Sequence, residues 1–282
     1  MAGAPAAGAS GSAGSAGSSG SAGVAGSSGA AGSAGSAGTA GSGGSAGGTG
    51  GGKVFSFFVS SMKAMQQLSG KNEGFGGDLR FGKSDGLTGA DEICRQTAEL
   101  GVPGAGARQW RAFLSTVGPP AVNARDRIGP GPWYDKNLRL VAANLTDLLS
   151  GPRPKGDSMI INDLPNERGE PNQYVGEAGY TPNTRWDTHD VLTGSKTDGT
   201  IYGGKTTTCN DWTSAVGSAG QPRVGHSWPR TLGSTQGAQF ASDHNARGCA
   251  AGFNLSLNNG GGTGDCVGCG GGYGALYCFA LP

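Results

Sequence analysis

Six cysteines, five of them in the last third of the chain, constrain this sequence more than any other feature. They are Cys94, Cys209, Cys249, Cys266, Cys269 and Cys278. An even number of cysteines in a loop-rich chain is typical of a disulfide framework, and such frameworks persist in oxidising compartments. The sequence therefore predicts an extracellular or cell-surface protein. Six cysteines permit many pairings, so the spacing alone leaves the connectivity open.

Residues 1 to 52 differ sharply in composition from the remainder. They are almost entirely Gly, Ala and Ser, and none of them is charged or aromatic. Such a segment has too few apolar side chains to bury, so it cannot offset the entropy lost when its backbone is ordered. We predict a disordered tether, which as a Gly-rich coil would span about 40 Å. The alternative is a low-complexity tail without a role.

Residues 53 to 282 carry the charge and the aromatic side chains, and they are numerous enough for one domain with a real core. The formal net charge is +1 and the pI is about 7.6. Proteins that bind nucleic acid usually carry clustered Lys and Arg, so we expect no nucleic-acid partner. No run of apolar residues is long enough to span a bilayer, so we expect no transmembrane segment.

The start of the chain poses a difficulty for export. Met1–Pro5 has neither a basic n-region nor an apolar h-region, so no export signal is visible in this sequence. One interpretation places the true start upstream, with a lipid-modified cysteine before the spacer. The alternative is a cytosolic protein with six reduced thiols, in which Cys266–Cys269 holds a metal or exchanges electrons. A structural zinc site usually needs two close cysteine pairs, and only one Cys-x-x-Cys is present.

Hydrophobic patterning predicts short strands and two helices, an α+β arrangement. Thr88 is the predicted cap of the first helix, whose apolar face carries Cys94 and which stops at Gly101. Asn144 is the predicted cap of a second, short helix ending before Gly151. The predicted strands are Val54–Val59, Gln109–Ser115, Ser158–Ile161, Asp190–Gly194 and Ala275–Ala280.

Several short blocks, taken in order, resemble the endostatin domain of multiplexin collagens and similar secreted bacterial domains. The blocks are Gly86–Asp91 with Cys94, Trp110–Ser115, Asp126–Arg127, Leu148–Gly151, Val191–Ser195 with Asp198–Gly199, and Cys209–Trp212. The resemblance implies a C-type-lectin-like fold, with a twisted, mostly antiparallel sheet, two helices, long disulfide-stapled loops and termini on adjacent strands. It also implies disulfides that join Cys94 to Cys278 and Cys209 to Cys269. Cys249 and Cys266 would then form a third.

The departures from that family bear on function. Its zinc site depends on histidines near the N-terminal strand, and Lys53–Ser60 contains none, so we expect no metal site. Family arginines implicated in heparin binding are replaced by residues such as Asp85 and Thr88. This replacement argues against sulfated-glycan binding.

Gly169–Asn172 contains Glu-Pro-Asn, the calcium and sugar motif of C-type lectins, but it precedes the strand after which those lectins place it. The predicted ligand-binding residues are Asp163, Glu167, Glu170 and Asn172. Their oxygens are of the kind that binds calcium, and we expect no cofactor other than calcium at these residues. A solvated acidic turn is the simpler interpretation of the same residues.

An enzyme would need a nucleophile with a base, or paired carboxylates in a cleft. Neither is evident, so we expect no catalytic residues and interpret His189, His226 and His244 as surface or loop residues. The favoured hypothesis is a non-catalytic binding module for a glycan or cell-envelope polymer. An adhesion or structural module that binds a surface protein is the alternative, and an enzyme is the third.

Overall fold

The computed structural model describes residues 52–172, 188–229, 237–255 and 264–282. Four helices lie in these residues, namely α1 (Met62–Ser69), α2 (Gly86–Gly101), α3 (Leu145–Leu149) and α4 (Cys209–Trp212). The described strands are β1 (Phe57–Val59), β2 (Trp110–Ala112), β3 (Trp133–Tyr134), β4 (Leu140–Ala142), β5 (Asp190–Leu192), β6 (Arg223–His226), β7 (His244–Asn245), β8 (Ala250–Phe253), β9 (Cys266–Gly268) and β10 (Gly272–Ala280). The predicted α+β class is confirmed.

The main sheet is built around β10. Its strand order is β1-β10-β5-β6-β7, and β2 also pairs with β10, next to β5 on the edge opposite β1. The pairing of β10 with β5 is parallel, and every other pairing in this sheet is antiparallel. The sheet is therefore mixed, and the first and last strands are neighbours.

β10 lies in the centre because its residues suit burial on both faces. All nine residues of Gly272–Ala280 are buried, and the segment reads as an almost unbroken apolar run. Phe279 packs edge-on against Phe57 and Trp133, with ring centroids 5.0 and 5.3 Å apart. Aromatic pairs in this geometry contribute roughly 0.5–1.5 kcal/mol beyond their buried area.

Helix α2 packs on this sheet through small residues and a disulfide. Its cap is Asp85, whose carboxylate accepts from Thr88 N at 2.8 Å, so the predicted cap at Thr88 is wrong by one turn. A Cβ on Gly89 would lie 2.1 Å from the carbonyl oxygens of Leu79 and Arg80, so only glycine permits this approach. The predicted Cys94–Cys278 disulfide is confirmed and joins the helix to β10.

Two segments differ from the sequence prediction. Residues 62–69, taken as part of a Gly-rich loop, form α1, which Ser61 caps and Gly70 ends with a φ of 67°. The helix is only 8 residues long, and the glycines that follow it suggested a loop. Ser158–Ile161, predicted as a strand, is a turn in which Ile160 N and Ile161 N both donate to Asp157 O.

The other two disulfides differ from those that the endostatin resemblance implied. The bridges are Cys209–Cys249 and Cys266–Cys269, so the implied pairs Cys209–Cys269 and Cys249–Cys266 are wrong. Cys266 and Cys269 face each other across a tight turn with Cα atoms 5.1 Å apart, within ordinary bridging range. Cys209 is thereby free to meet Cys249 at the start of β8. Three disulfides are typical of an extracellular protein.

The described residues include no helix that is both long and apolar enough to cross a membrane. The predicted tether, residues 1–52, lies outside the described residues apart from Gly52. Gly50–Pro282 forms one compact unit.

Replacing Cys94 and Cys278 together by alanine should lower the free energy of unfolding by about 5 kcal/mol, because the bridge closes a very long loop. The two cysteines are 184 residues apart. The control pair, Cys266→Ala with Cys269→Ala, opens a bridge with a separation of 3 and should cost about 2 kcal/mol. Urea denaturation of the oxidised proteins measures both losses. Equal losses would contradict the central role of the α2–β10 link.

Candidate functional site

The predicted ligand Glu167 lies in the protein interior. Its carboxylate accepts from Ser61 Oγ at 2.7 Å and from Ser61 N at 3.0 Å, and it pairs with Arg168 at 3.1 Å. Burial raises the pKa of Glu167 above its ordinary value. Because the same serine caps α1, this carboxylate holds the start of that helix against the loop at residues 165–171.

The polar side chains of the Glu-Pro-Asn tripeptide form hydrogen bonds with neighbouring groups of the protein. Glu170 accepts from Arg168 Nε at 2.8 Å and from Asn166 Nδ2 at 3.1 Å, on the partly exposed side of the loop. Asn172 is buried, where it donates to Thr188 O and accepts from Tyr273 OH at 2.7 Å. The side-chain amide of Asn172, which a lectin would direct at a sugar, is thus hydrogen-bonded within the protein.

Asp163, the fourth predicted ligand, is half-buried near the guanidinium of Arg153. Burial lowers the pKa of Arg153 to about 10, while the charge of Asp163 opposes the shift. The structure therefore places the four predicted residues in one region but disperses their side chains among separate partners. Ligand binding by them stays a prediction.

Replacing Glu167 by alanine should destabilise the protein by about 2–4 kcal/mol, because Ser61 N–H and Oγ would lose a buried acceptor. The matched control Glu170→Ala removes a partly exposed carboxylate and should cost about 1 kcal/mol or less. Denaturant unfolding with the disulfides intact gives both values. A larger loss for Glu170→Ala would contradict this account, because it would show that Glu170, rather than Glu167, stabilises the loop at residues 165–171.

An open cleft of about 460 Å³ lies between the end of α1 and the start of α2. Phe75 and Phe81 meet edge-to-face in its wall, with ring centroids 5.3 Å apart. Three exposed cations, Lys71, Arg80 and Lys83, also line it. We name this feature the basic-aromatic cleft.

A single carboxylate balances these cations within the lining. Asp78 receives two hydrogen bonds from the Arg80 guanidinium, at 2.6 and 2.9 Å, and these bonds lower the pKa of Asp78. The arrangement leaves an excess of positive charge on the cleft. It also fixes the plane of the Arg80 guanidinium, whose side chain is 47% exposed.

The loop that forms the cleft is held tightly at its base. Gly77 N donates to Cys249 O, and a Cβ on Gly77 would lie 2.5 Å from Cys209 Sγ, so this loop rests directly on the Cys209–Cys249 disulfide. Phe81 has a φ of 46°, a left-handed conformation that is costly for a bulky residue. Strained residues of this kind concentrate at functional sites.

A second cluster lies in the sheet itself, where three histidines surround one carboxylate. The Nε2 atoms of His189, His226 and His244 are 3.1, 3.2 and 3.0 Å from Asp190 Oδ1. We call these four residues the histidine–aspartate cluster. His189, Asp190 and His226 are almost fully buried, whereas the His244 side chain is 38% exposed and connects the cluster to solvent.

Three adjacent strands place these side chains together. Asp190 in β5 is the register partner of His226 in β6, and His244 in β7 pairs with Val224 two residues away along β6. On the other side, β10 approaches β5 at Gly272, where a Cβ would lie 2.9 Å from Asp190 Cβ. Glycine at this position makes room for the carboxylate.

The pKa values in the cluster reflect a competition between burial and charge. Burial opposes ionisation of Asp190, but the charges of His189 and His244 outweigh it, so the pKa of Asp190 lies well below its usual range. Burial dominates at His226 and lowers its pKa. Burial also acts against the His244 imidazolium, but the negative charge of Asp190 prevails and raises the pKa of His244.

Sequence reasoning missed this cluster. It interpreted the histidines as surface or loop residues, whereas His226 and His244 lie in strands and His226 is buried. His189 is a loop residue, as expected, but it is buried. Sequence reasoning also expected no metal site; the four ligand atoms lie within 4.8 Å of one another, close enough to share one ion, and that expectation stays a prediction. The sequence offers one signal, that all its histidines belong to the second half of the chain. Their convergence depends on the pairing of β5, β6 and β7.

No family model matches the chain, and no curated protein matches it.

Proposed function

We propose that the domain is a non-catalytic extracellular module that binds a glycan or cell-envelope polymer and is presented at the cell surface on a flexible tether. The observation that carries the proposal is the basic-aromatic cleft. Aromatic rings stack on the C–H faces of sugars, while fixed polar groups set orientation and specificity in such concave sites. The endostatin-like, C-type-lectin-like fold remains part of the proposal and accords with the mixed sheet and its disulfides.

The charge of the cleft favours an acidic polymer. Lys71, Arg80 and Lys83 line the cleft together with a single carboxylate, Asp78. Lysine and arginine form charge-assisted hydrogen bonds with carboxylate and phosphate groups, and these bonds are stronger than those to neutral hydroxyls. A polysaccharide that carries such groups would therefore be held by its charges and oriented by the two phenylalanines.

The lining also supports a role without catalysis. Its described residues include no histidine and no cysteine, and the lone carboxylate is already bound to Arg80. General acid–base chemistry requires a group whose proton can be exchanged near neutral pH. Asp78, with its lowered pKa, does not supply one.

Replacing Lys71 and Lys83 together by alanine should weaken binding to an acidic polysaccharide by about tenfold or more, because two charge-assisted contacts are lost. Both lysines are exposed, so the fold should be unaffected. The measurement is a glycan and polysaccharide array with the oxidised full chain, run once with calcium and once with a chelator. The matched control is Lys155→Ala with Lys196→Ala, two exposed lysines outside the cleft lining.

Binding that is equal in the cleft variant and the control would refute this site. Calcium-dependent binding that Glu170→Gln abolishes would instead assign the ligand to Glu170–Asn172. The absence of any polysaccharide binding would favour the alternative of an adhesion module with a protein partner.

A further inference from the structure

We propose that the histidine–aspartate cluster is a binding site for one divalent transition-metal ion, with zinc as the best fit. The donor set is three imidazole nitrogens and one carboxylate oxygen, contributed by His189, Asp190, His226 and His244. Imidazole suits zinc and its neighbours in the first transition series, whereas calcium and magnesium prefer oxygen ligands throughout. This site lies in the sheet and is independent of the basic-aromatic cleft.

The spacing of the donor atoms agrees with tetrahedral coordination. Zinc–nitrogen and zinc–oxygen bonds of about 2.0–2.1 Å place tetrahedral ligand atoms about 3.3 Å from one another. The three Nε2 atoms are 3.0–3.2 Å from Asp190 Oδ1. All four ligand atoms are within 4.8 Å of one another, so small side-chain rotations complete the tetrahedron.

Backbone contacts direct two nitrogen lone pairs towards this centre. His226 Nδ1 lies 2.9 Å from Gly237 O, and His244 Nδ1 lies 3.1 Å from Asn245 O. A carbonyl oxygen only accepts, so in each neutral imidazole the proton belongs on Nδ1 and the lone pair on Nε2. Metal-binding histidines are held in the same way, with the second ring nitrogen donating to a carbonyl or carboxylate.

The neutral His226 tautomer leaves an acceptor facing an acceptor. The lone pair on His226 Nε2 points at the oxygen of Asp190, and like partial charges at 3.2 Å repel. Within the described residues, His226 Nε2 and Asp190 Oδ2 are buried and have no hydrogen-bond partner. A cation in the centre would satisfy the nitrogens and the carboxylate together.

The buried carboxylate depends on imidazoles, rather than on a lysine or arginine, to offset its charge. A buried charge is normally paired or bound to a metal, because its transfer out of water is costly. Of the described side chains, those paired with Asp190 are histidines, and none is a lysine or arginine. The nearby guanidinium of Arg153 donates instead to backbone carbonyls, including those of His226 and Ser227.

The location of the cluster predicts that the bound ion is structural and that it enters from solvent past His244. Four protein ligands close the coordination shell, as in structural rather than catalytic zinc sites. β7 is a two-residue edge strand joined to the sheet at only two register positions. A metal shared by β5, β6 and β7 would fasten this edge, while the Cys94–Cys278 disulfide fastens the sheet at β10.

The test is titration of the oxidised full chain, made without a histidine tag and stripped with a chelator, using zinc and cobalt(II). We expect one ion per chain, a rise in the unfolding temperature, and the visible absorption bands of tetrahedral cobalt(II). Calcium should produce none of these changes. Asp190→Asn should weaken zinc binding by more than about 100-fold, beyond the roughly 10–100-fold loss typical of an outer hydrogen-bond partner. Asp126→Asn, at an exposed carboxylate, is the control and should bind as the wild type does.

If Asp190→Asn fails to fold, the imidazole NMR signals of the wild type decide the question. The chain has 3 histidines, all in the cluster, so zinc should shift all three sets of ring signals together. Absence of zinc binding by the folded wild type would overturn the proposal. So would binding that leaves the histidine signals unchanged or that Asp190→Asn does not weaken.

Discussion

The fold depends on the pairing of its last strand, β10, in the middle of the main sheet. Gly272–Ala280 contacts β1 on one edge and both β2 and β5 on the other, and its residues are buried along the whole length. The sheet can therefore close only when the C-terminal residues are in place. The Cys94–Cys278 bridge then ties this strand to α2, so sheet and helix share one covalent anchor.

The two candidate sites are held by different parts of the structure. The basic-aromatic cleft lies on a loop that rests on the Cys209–Cys249 disulfide. The histidine–aspartate cluster lies where β5 and β10 begin to pair, and Gly272 leaves space for the Asp190 side chain. One site is open, exposed and basic, whereas the other is buried and held by rigid strands. They can therefore serve different purposes, ligand capture and stabilisation of the sheet edge.

The sequence predicted those parts of the fold whose signals are local. β5 and β10 were predicted from apolar runs, and α3 from its Asn144 cap, which accepts from Asp147 N. α1 was lost because its short amphipathic pattern runs into glycines. Disulfide pairing by analogy succeeded for Cys94 and failed for the other four cysteines, because Cys266 and Cys269 pair across their own tight turn and Cys209 lies in the unusual turn at Cys209–Trp212. The residues of that turn have positive φ angles, which local propensity does not indicate for such side chains.

The histidine–aspartate cluster was harder to predict, because its residues form no linear motif. Asp190, His226 and His244 lie far apart in the chain and meet only through strand register. The predicted ligands at 163–172 are adjacent in sequence, yet their side chains turn to separate partners. Proximity in the chain was therefore a poor guide to proximity of functional atoms.

Anomalous diffraction at the zinc edge, from crystals of the full chain grown with zinc, tests the account most directly. The account predicts one strong peak about 2.0–2.2 Å from the three Nε2 atoms and an Asp190 oxygen. An ordered cluster with His189, His226 and His244 in place but no peak between them would contradict it.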